Sequence, residues 1–279
     1  MSTAGPPQGA NCSPLGGSEA AGAASVGVQS ESMLRVASLS KAFGGVQAVR
    51  DISFAVDRGE FVALIGPNGA GKTTCFNLIN GQLAPDDGTV HLGSARIDGL
   101  PPRDIAHKGV GRTFQVAATF ASMTVRENVE VALTAHARHE GRLFEPGTSP
   151  WRERADALLA RVGVGALANA HAATLTYGDV KRVELALALA NAPKLLLMDE
   201  PTAGMAVAMR GELMRLTADL AHRERLAVLF TEHDMDVVFG FADRVIVLDR
   251  GAIIAEGPPA AIRNNPLVQA VYLGQDEAV

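Results

Sequence analysis

Residues 60–74 read EFVALIGPNGAGKTT, and the order of characters in this stretch decides the fold. Glu60 to Gly66 is a continuous apolar run of strand length, the kind buried on both faces of a parallel sheet. It breaks into a glycine-rich turn, and a helix is expected from about Lys72. The turn matches G-x-x-x-x-G-K-[ST] in the strand-to-helix context that gives the pattern its meaning. Successive backbone N–H groups of such a turn curl around phosphate oxygens, and the helix N-terminus adds a favourable dipole. Gly66, Gly69 and Gly71 permit the backbone angles and the close approach. Pro67, Asn68, Ala70 and Thr74 complete the expected nucleotide contacts. Lys72 supplies a point charge to the β/γ-phosphates, and the Thr73 hydroxyl is suited to Mg²⁺.

Farther along, KLLLMDEP (194–201) supplies the partner to this loop. Four apolar residues, Leu195 to Met198, deliver Asp199 and Glu200 to the C-terminal end of a second buried strand, where open α/β sheets bind ligands. Asp199 is placed to hold Mg²⁺ through water. Glu200 points the other way along the pleat and is suited to orient or deprotonate an attacking water.

The rest of the chain narrows the class. Its 279 residues fit one large domain or two small ones, and a 47% hydrophobic composition allows a sizeable core. The formal net charge is −5 with no long basic run, which gives no support for nucleic acid as a partner. Only Cys12 and Cys75 occur, a pattern that fits neither a disulfide framework nor a zinc site and suits a reducing cytoplasm. No apolar run reaches the ~18 residues needed to span a bilayer.

Residues 1–32 are rich in Ala, Gly, Ser and Pro and lack Lys and Arg, so they read as a disordered extension rather than a signal peptide. A single domain is expected over 33–279. It starts with a hairpin (34–56) broken at Gly44–Gly45, and GTVHLGSARIDG adds two short strands. Thr124 and Glu127 form a capping box that opens a helix, and a second helix is expected over Pro150–Val162. An alanine-rich helix follows Gly178, another runs from about Val207 to Arg223 and leads into the strand LAVLFTEH. A hairpin and a short helix close the chain over about 250–279. The sum is an α/β fold with a mainly parallel core sheet, an N-terminal antiparallel β-subdomain and a helical subdomain over about 116–180.

Taken in order, the P-loop, RTFQ (112–115), LTYGD (175–179), LLLMDEPTAGM (195–205) and FTEH (230–233) resemble the ATPase subunits of ATP-binding cassette transporters, over Leu34 to about Leu273. The resemblance implies ATP and Mg²⁺ as ligands. It makes Gln115 the residue that touches Mg²⁺ and the attacking water, and His233 the partner of the γ-phosphate and of Glu200. Phe43 corresponds to the aromatic that stacks on adenine, with a core position as the competing reading, and Val49 adds an apolar contact to the base. Leu175, Thr176, Tyr177, Gly178 and Asp179 correspond to a signature usually written L-S-G-G-Q, which binds the γ-phosphate of ATP held by the other subunit.

The resemblance therefore implies a head-to-tail dimer, homo- or heteromeric, with two nucleotides at its interface. Two membrane-spanning permease subunits and, indirectly, a solute-binding protein are implied as partners, with this chain peripheral on the cytoplasmic face of the membrane. Residues from Gln115 to about Arg138 would form the groove that receives a permease helix. The stretches GVGRTFQVAATFASMTVRENV and GAIIAEGPPAAIRNNPLVQAVYLG look most like the branched-chain amino acid importers. Urea or amide uptake, lipopolysaccharide extraction and a soluble cassette ATPase stay open as alternatives. Two positions depart from the pattern: Val180 stands where Gln is common, and Ala206 where Asp or Asn is usual.

Overall fold

The structure is a computed structural model that describes residues 32–113, 119–137 and 150–273. Strands β1 (Ser32–Phe43) and β2 (Val46–Asp57) form the expected hairpin, and β4 (Asp87–Leu92) with β5 (Ala95–Arg96) completes a four-stranded antiparallel sheet in the order β2-β1-β4-β5. Between them the chain runs through β3 (Phe61–Ile65) and helix α1 (Lys72–Ile79). Helix α2 (Pro102–Lys108) and the short strand β6 (Val110–Thr113) follow. Neither element is among those expected from the sequence.

Helices α3 (Val125–Ala137) and α4 (Pro150–Arg161) precede α5 (Tyr177–Leu189), β7 (Leu195–Asp199), α6 (Val207–Glu224) and β8 (Ala227–Thr231). The chain then forms α7 (Met235–Phe241), the hairpin β9 (Arg244–Asp249) and β10 (Ala252–Gly257), and helices α8 (Pro259–Arg263) and α9 (Pro266–Leu273). Helix α3 opens with the capping box: Thr124 N–H donates to Glu127 Oε2 at 2.7 Å and Glu127 N–H to Thr124 Oγ1 at 3.2 Å.

The second sheet has the order β10-β9-β3-β8-β7-β6 and is parallel apart from β10. Its central position explains why β3 is apolar throughout. Phe61, Ala63 and Ile65 face the helices, packed with Met198, Phe230 and Val247 among others, and the Phe61 and Phe230 rings lie 4.7 Å apart. Val62 and Leu64 face the opposite side, where α1 and the antiparallel sheet cover them. A strand with a period of two can satisfy two cores only by being hydrophobic at every position. The C-terminal ends of β3, β7 and β8 meet at one edge of this sandwich, and the chemistry-bearing residues lie there.

Candidate active site

The loop after β3 closes on itself over a cleft of about 190 Å³ lined by Ala48, Asn68, Gly69, Ala70, Gly71, Lys72, Thr73, Thr74, Glu200 and His233. Gly71 is the one residue type that fits its place. It sits at φ 105°, and a Cβ there would stand 2.3 Å from the Ala48 carbonyl oxygen. The missing Cβ lets the loop approach β2 this closely. Lys72 is buried and donates from Nζ to the Gly66 carbonyl at 2.6 Å and the Pro67 carbonyl at 3.1 Å. Burial draws its ammonium below the usual lysine range, opposed by the nearby charges of Glu200 and Asp199. Thr73 is exposed on the first turn of α1. Cys75, two residues on, is fully buried, and burial pushes its thiol up to about 12, so it is no nucleophile.

Register places the acids. Asp199 at the end of β7 pairs with Thr231 at the end of β8, and the Thr231 hydroxyl donates to Asp199 Oδ1 at 2.8 Å. Arg112, from β6 on the other flank, reaches Asp199 Oδ2 at 3.3 Å and is itself held by Asn77 and Gln82 at 3.0 Å each. One residue past the end of β7 and two past the end of β8, Glu200 Oε1 and His233 Nε2 meet at 2.9 Å. Glu200 occupies the left-handed region at φ 48°, a strained conformation for a residue with a Cβ and one that accumulates at functional sites. Its N–H is anchored to the Thr231 carbonyl and hydroxyl, both at 3.1 Å.

The structure thus brings together Lys72, Thr73, Asp199, Glu200 and His233. Gln115 lies outside the described residues. Phe43, at the tip of the β1–β2 hairpin, is 46% exposed with the Lys41 ammonium 5.7 Å from its ring centroid, which removes the core reading of that residue. Val49 requires a correction: it is 1% exposed and packs into the core with Ile52 and Phe54, while its neighbour Ala48 faces the cleft. The φ of 45° at Asp51 interrupts the alternation of β2, so that Val49 and Ile52, three residues apart, both face the core.

The signature residues stand apart from the cleft, as none of 175–179 lines it. Thr176 is the N-cap of α5; its hydroxyl accepts from Asp179 N–H at 3.3 Å and donates to Asp179 Oδ2 at 2.6 Å. Gly178 is buried, and a Cβ would fall 1.9 Å from Met209 Cε. Leu175 packs partly against the helical core. Ala48, Arg112, Thr231 and Glu232 also belong to the site and lie outside the sequence motifs' expected contacts. Of these, only the Arg in RTFQ and the Glu beside His233 carried a signal, each being a charge next to a motif residue.

A P-loop facing an Asp-Glu strand end and a histidine, in a two-sheet domain with a helical signature element, defines a nucleotide-hydrolysing cassette. Residues 49–203 match the ABC transporter family model, and the chain belongs to that family, an ATPase class whose members hydrolyse ATP to drive transport. Its C-terminal residues 252–278 match a second model, described as branched-chain amino acid ATP-binding cassette transporter.

Among curated relatives, the high-affinity branched-chain amino acid transport ATP-binding protein LivG of Salmonella typhimurium is 41% identical over 253 residues, which is 88% of this chain and 99% of the relative. LivG of Escherichia coli K12 is 40% identical with the same coverage, and BraF of Pseudomonas aeruginosa is 39% identical over 256 residues, again 88% and 99%. The ADP conformation of MJ1267, an ATP-binding cassette of an ABC transporter, superposes with a TM-score of 0.79 at 30% identity over 87% of this chain and 99% of that one. A dimeric post-hydrolysis state of the cassette MJ0796 bound to ADP and Pi superposes with a TM-score of 0.70 at 26% identity, covering 81% and 99%.

Proposed function

We propose that this chain powers import of branched-chain amino acids as a peripheral ATPase subunit on the cytoplasmic face of the membrane. The observation that carries the catalytic part is the Glu200–His233 contact of 2.9 Å at the mouth of the P-loop cleft. In this reading, backbone N–H groups from Asn68 to Thr74 cradle the phosphates and Lys72 leaves its carbonyl partners to neutralise the β/γ-oxygens. Glu200 orients and deprotonates the attacking water, and His233 holds Glu200 and the γ-phosphate in line. Phe43, exposed at the hairpin tip, stacks on the base.

The donors near the phosphates fit Mg²⁺: a hydroxyl from Thr73 and a carboxylate from Asp199 are both hard oxygens. Among the described residues no group of three His, Cys, Asp or Glu side chains could cage a metal, so phosphates and water would complete its shell. Bound Mg²⁺ supplies charge neutralisation across the transferring phosphoryl group. By the family resemblance, Gln115 would be a further ligand.

Each nucleotide is completed by residues 175–179 of a second ATPase subunit, and two permease subunits carry the solute delivered by a solute-binding protein. No helix among the described residues is long and apolar enough to cross a membrane, which fits spanning by other chains. The permease groove expected over Gln115 to about Arg138 lies partly outside the described residues; α3 (Val125–Ala137) supplies most of its described part. The single-domain reading over 33–279, with 1–32 as an extension, belongs to the same proposal.

The relatives' names and the match over 252–278 support the amino-acid substrate. Uptake of labelled leucine, isoleucine and valine in cells lacking this chain tests it. Loss of all three, restored by the wild-type chain, is expected; unchanged uptake with loss of urea or amide uptake would overturn the substrate assignment.

A further inference from the structure

Tyr177 stands where the signature pattern has Gly, and the structure gives its side chain a destination. Its hydroxyl donates to the Ala203 carbonyl at 2.9 Å, and its ring lies over Gly204, whose absent Cβ would be 3.4 Å from the hydroxyl and 3.5 Å from the ring. Beneath the ring, the Lys181 ammonium lies 5.5 Å from the centroid and is fixed by the buried Glu184 at 3.0 Å. Ala203 belongs to the loop that begins at Glu200, and its N–H donates to the Glu200 carbonyl at 3.1 Å.

The same loop is tied on its other side. Thr202 donates from its N–H and its hydroxyl to Glu232 Oε1, at 2.8 and 2.7 Å, and Glu232 Oε2 accepts from His233 N–H at 3.3 Å. Glu232 is only 4% exposed, so this bridge is built into the core edge. Tyr177, Ala203, Thr202, Glu232, His233 and Glu200 therefore form a closed run of contacts from the signature turn to the catalytic pair. A glycine at 177 would leave that run open at its first link.

We propose that Tyr177 is a positioning residue that couples the two half-sites of one chain, through Ala203 and the loop 200–205. This rests on the reading of two composite ATP sites: the signature turn serves one nucleotide and Glu200 with His233 serve the other. A nucleotide seated against Thr176 and Gly178 then shifts the loop that sets Glu200, and the two sites fire cooperatively. Physical continuity alone does not establish coupling, so the test is a double-mutant cycle.

Steady-state hydrolysis is measured on the complex purified through a tag on the full-length chain. Tyr177→Phe keeps the ring and removes the donor. It is expected to lower kcat by roughly fivefold, the scale of one neutral hydrogen bond, with KM for ATP nearly unchanged and the Hill coefficient falling towards one. Thr202→Ala cuts the other side of the loop, and the double variant is expected to be no worse than the poorer single. Wild-type kcat and cooperativity in Tyr177→Phe, or losses that simply add, would overturn the link. In the unmutated complex, ATP is expected to slow amide exchange at 203–205 in step with 176–179; independent protection of the two segments would overturn it as well. ATP-driven association of Glu200→Gln separates the two levels of the argument. If that variant fails to associate, the composite-site reading itself falls; if it associates while Tyr177→Phe behaves as wild type, only the Tyr177 link is lost.

Discussion

The two halves of the ATP-handling surface are built on opposite principles. The P-loop half sits where three parallel strands end, and its charged groups are engaged by other protein atoms: Lys72 by two backbone carbonyls, Asp199 by Thr231 and Arg112, Glu200 by His233. The signature half is the exposed first turn of a helix, where Thr176 spends its hydroxyl on Asp179 and Tyr177 spends its own on the neighbouring loop. The sheet preorganises the first half before nucleotide arrives, which lowers the reorganisation needed at the moment of reaction. The second half offers helix N–H groups and no catalytic base, which fits its proposed use across an interface.

Lys72→Ala attacks the first half at its centre. It is expected to reduce turnover by about 100-fold or more, since a preorganised charge at the transferring group is lost. ATP titration with turnover measured in parallel checks this, and a small effect would erase the contrast between the halves. Thr176→Ala probes the second half. It removes the N-cap of α5, costing about 1 kcal/mol of helix stability, and should slow hydrolysis about tenfold while leaving the affinity of isolated chain for ATP unchanged. Equal losses of affinity and turnover would mean that the signature contacts nucleotide within its own chain.

Glu232, which bridges the halves, carries a pH signature. Burial pushes its carboxyl above the ordinary glutamate range, against the hydrogen bonds from Thr202 that lower it. The folded chain then binds this proton more tightly than the unfolded chain, so the contribution is favourable at low pH and is lost as pH rises through the folded value. Glu232→Gln keeps an acceptor for Thr202 and removes the titration. Melting curves across pH should show the variant gaining on wild type as pH rises from the ordinary glutamate range through the raised folded value and losing that gain in acid; a constant offset would contradict the assignment. The smallest effect is expected at Ala206, the N-cap of α6, which has no side-chain cap bond. Ala206→Asn should stabilise by about 1 kcal/mol and raise Tm by roughly 2–4 °C.

How much of this was legible in the sequence follows from which physics was local. The P-loop and the strand carrying Asp199 and Glu200 are each contiguous, so their pattern exposed them, while the signature turn is legible only through the family resemblance; the unbroken apolarity of Phe61–Ile65 announced a buried parallel strand. The edge strand Val110–Thr113 escaped because it is short and glycine-interrupted, and with it the role of Arg112 behind Asp199. The expectation at Val49 rested on the resemblance, and the burial of that side chain, next to a backbone irregularity at Asp51, was not visible in the sequence. The Tyr177–Ala203 and Thr202–Glu232 contacts join residues 26 and 30 positions apart, and only the packing of α5 and β8 around the loop reveals them.

Glu200→Gln tests the central claim most directly, because it keeps the shape of the side chain and its contact with His233 while removing the base. ATP binding and turnover are to be measured on the same preparation, together with the association state. The account predicts undiminished ATP affinity, turnover reduced by about 100-fold or more, and an ATP-trapped dimer. Turnover near the wild-type rate in that variant would contradict it.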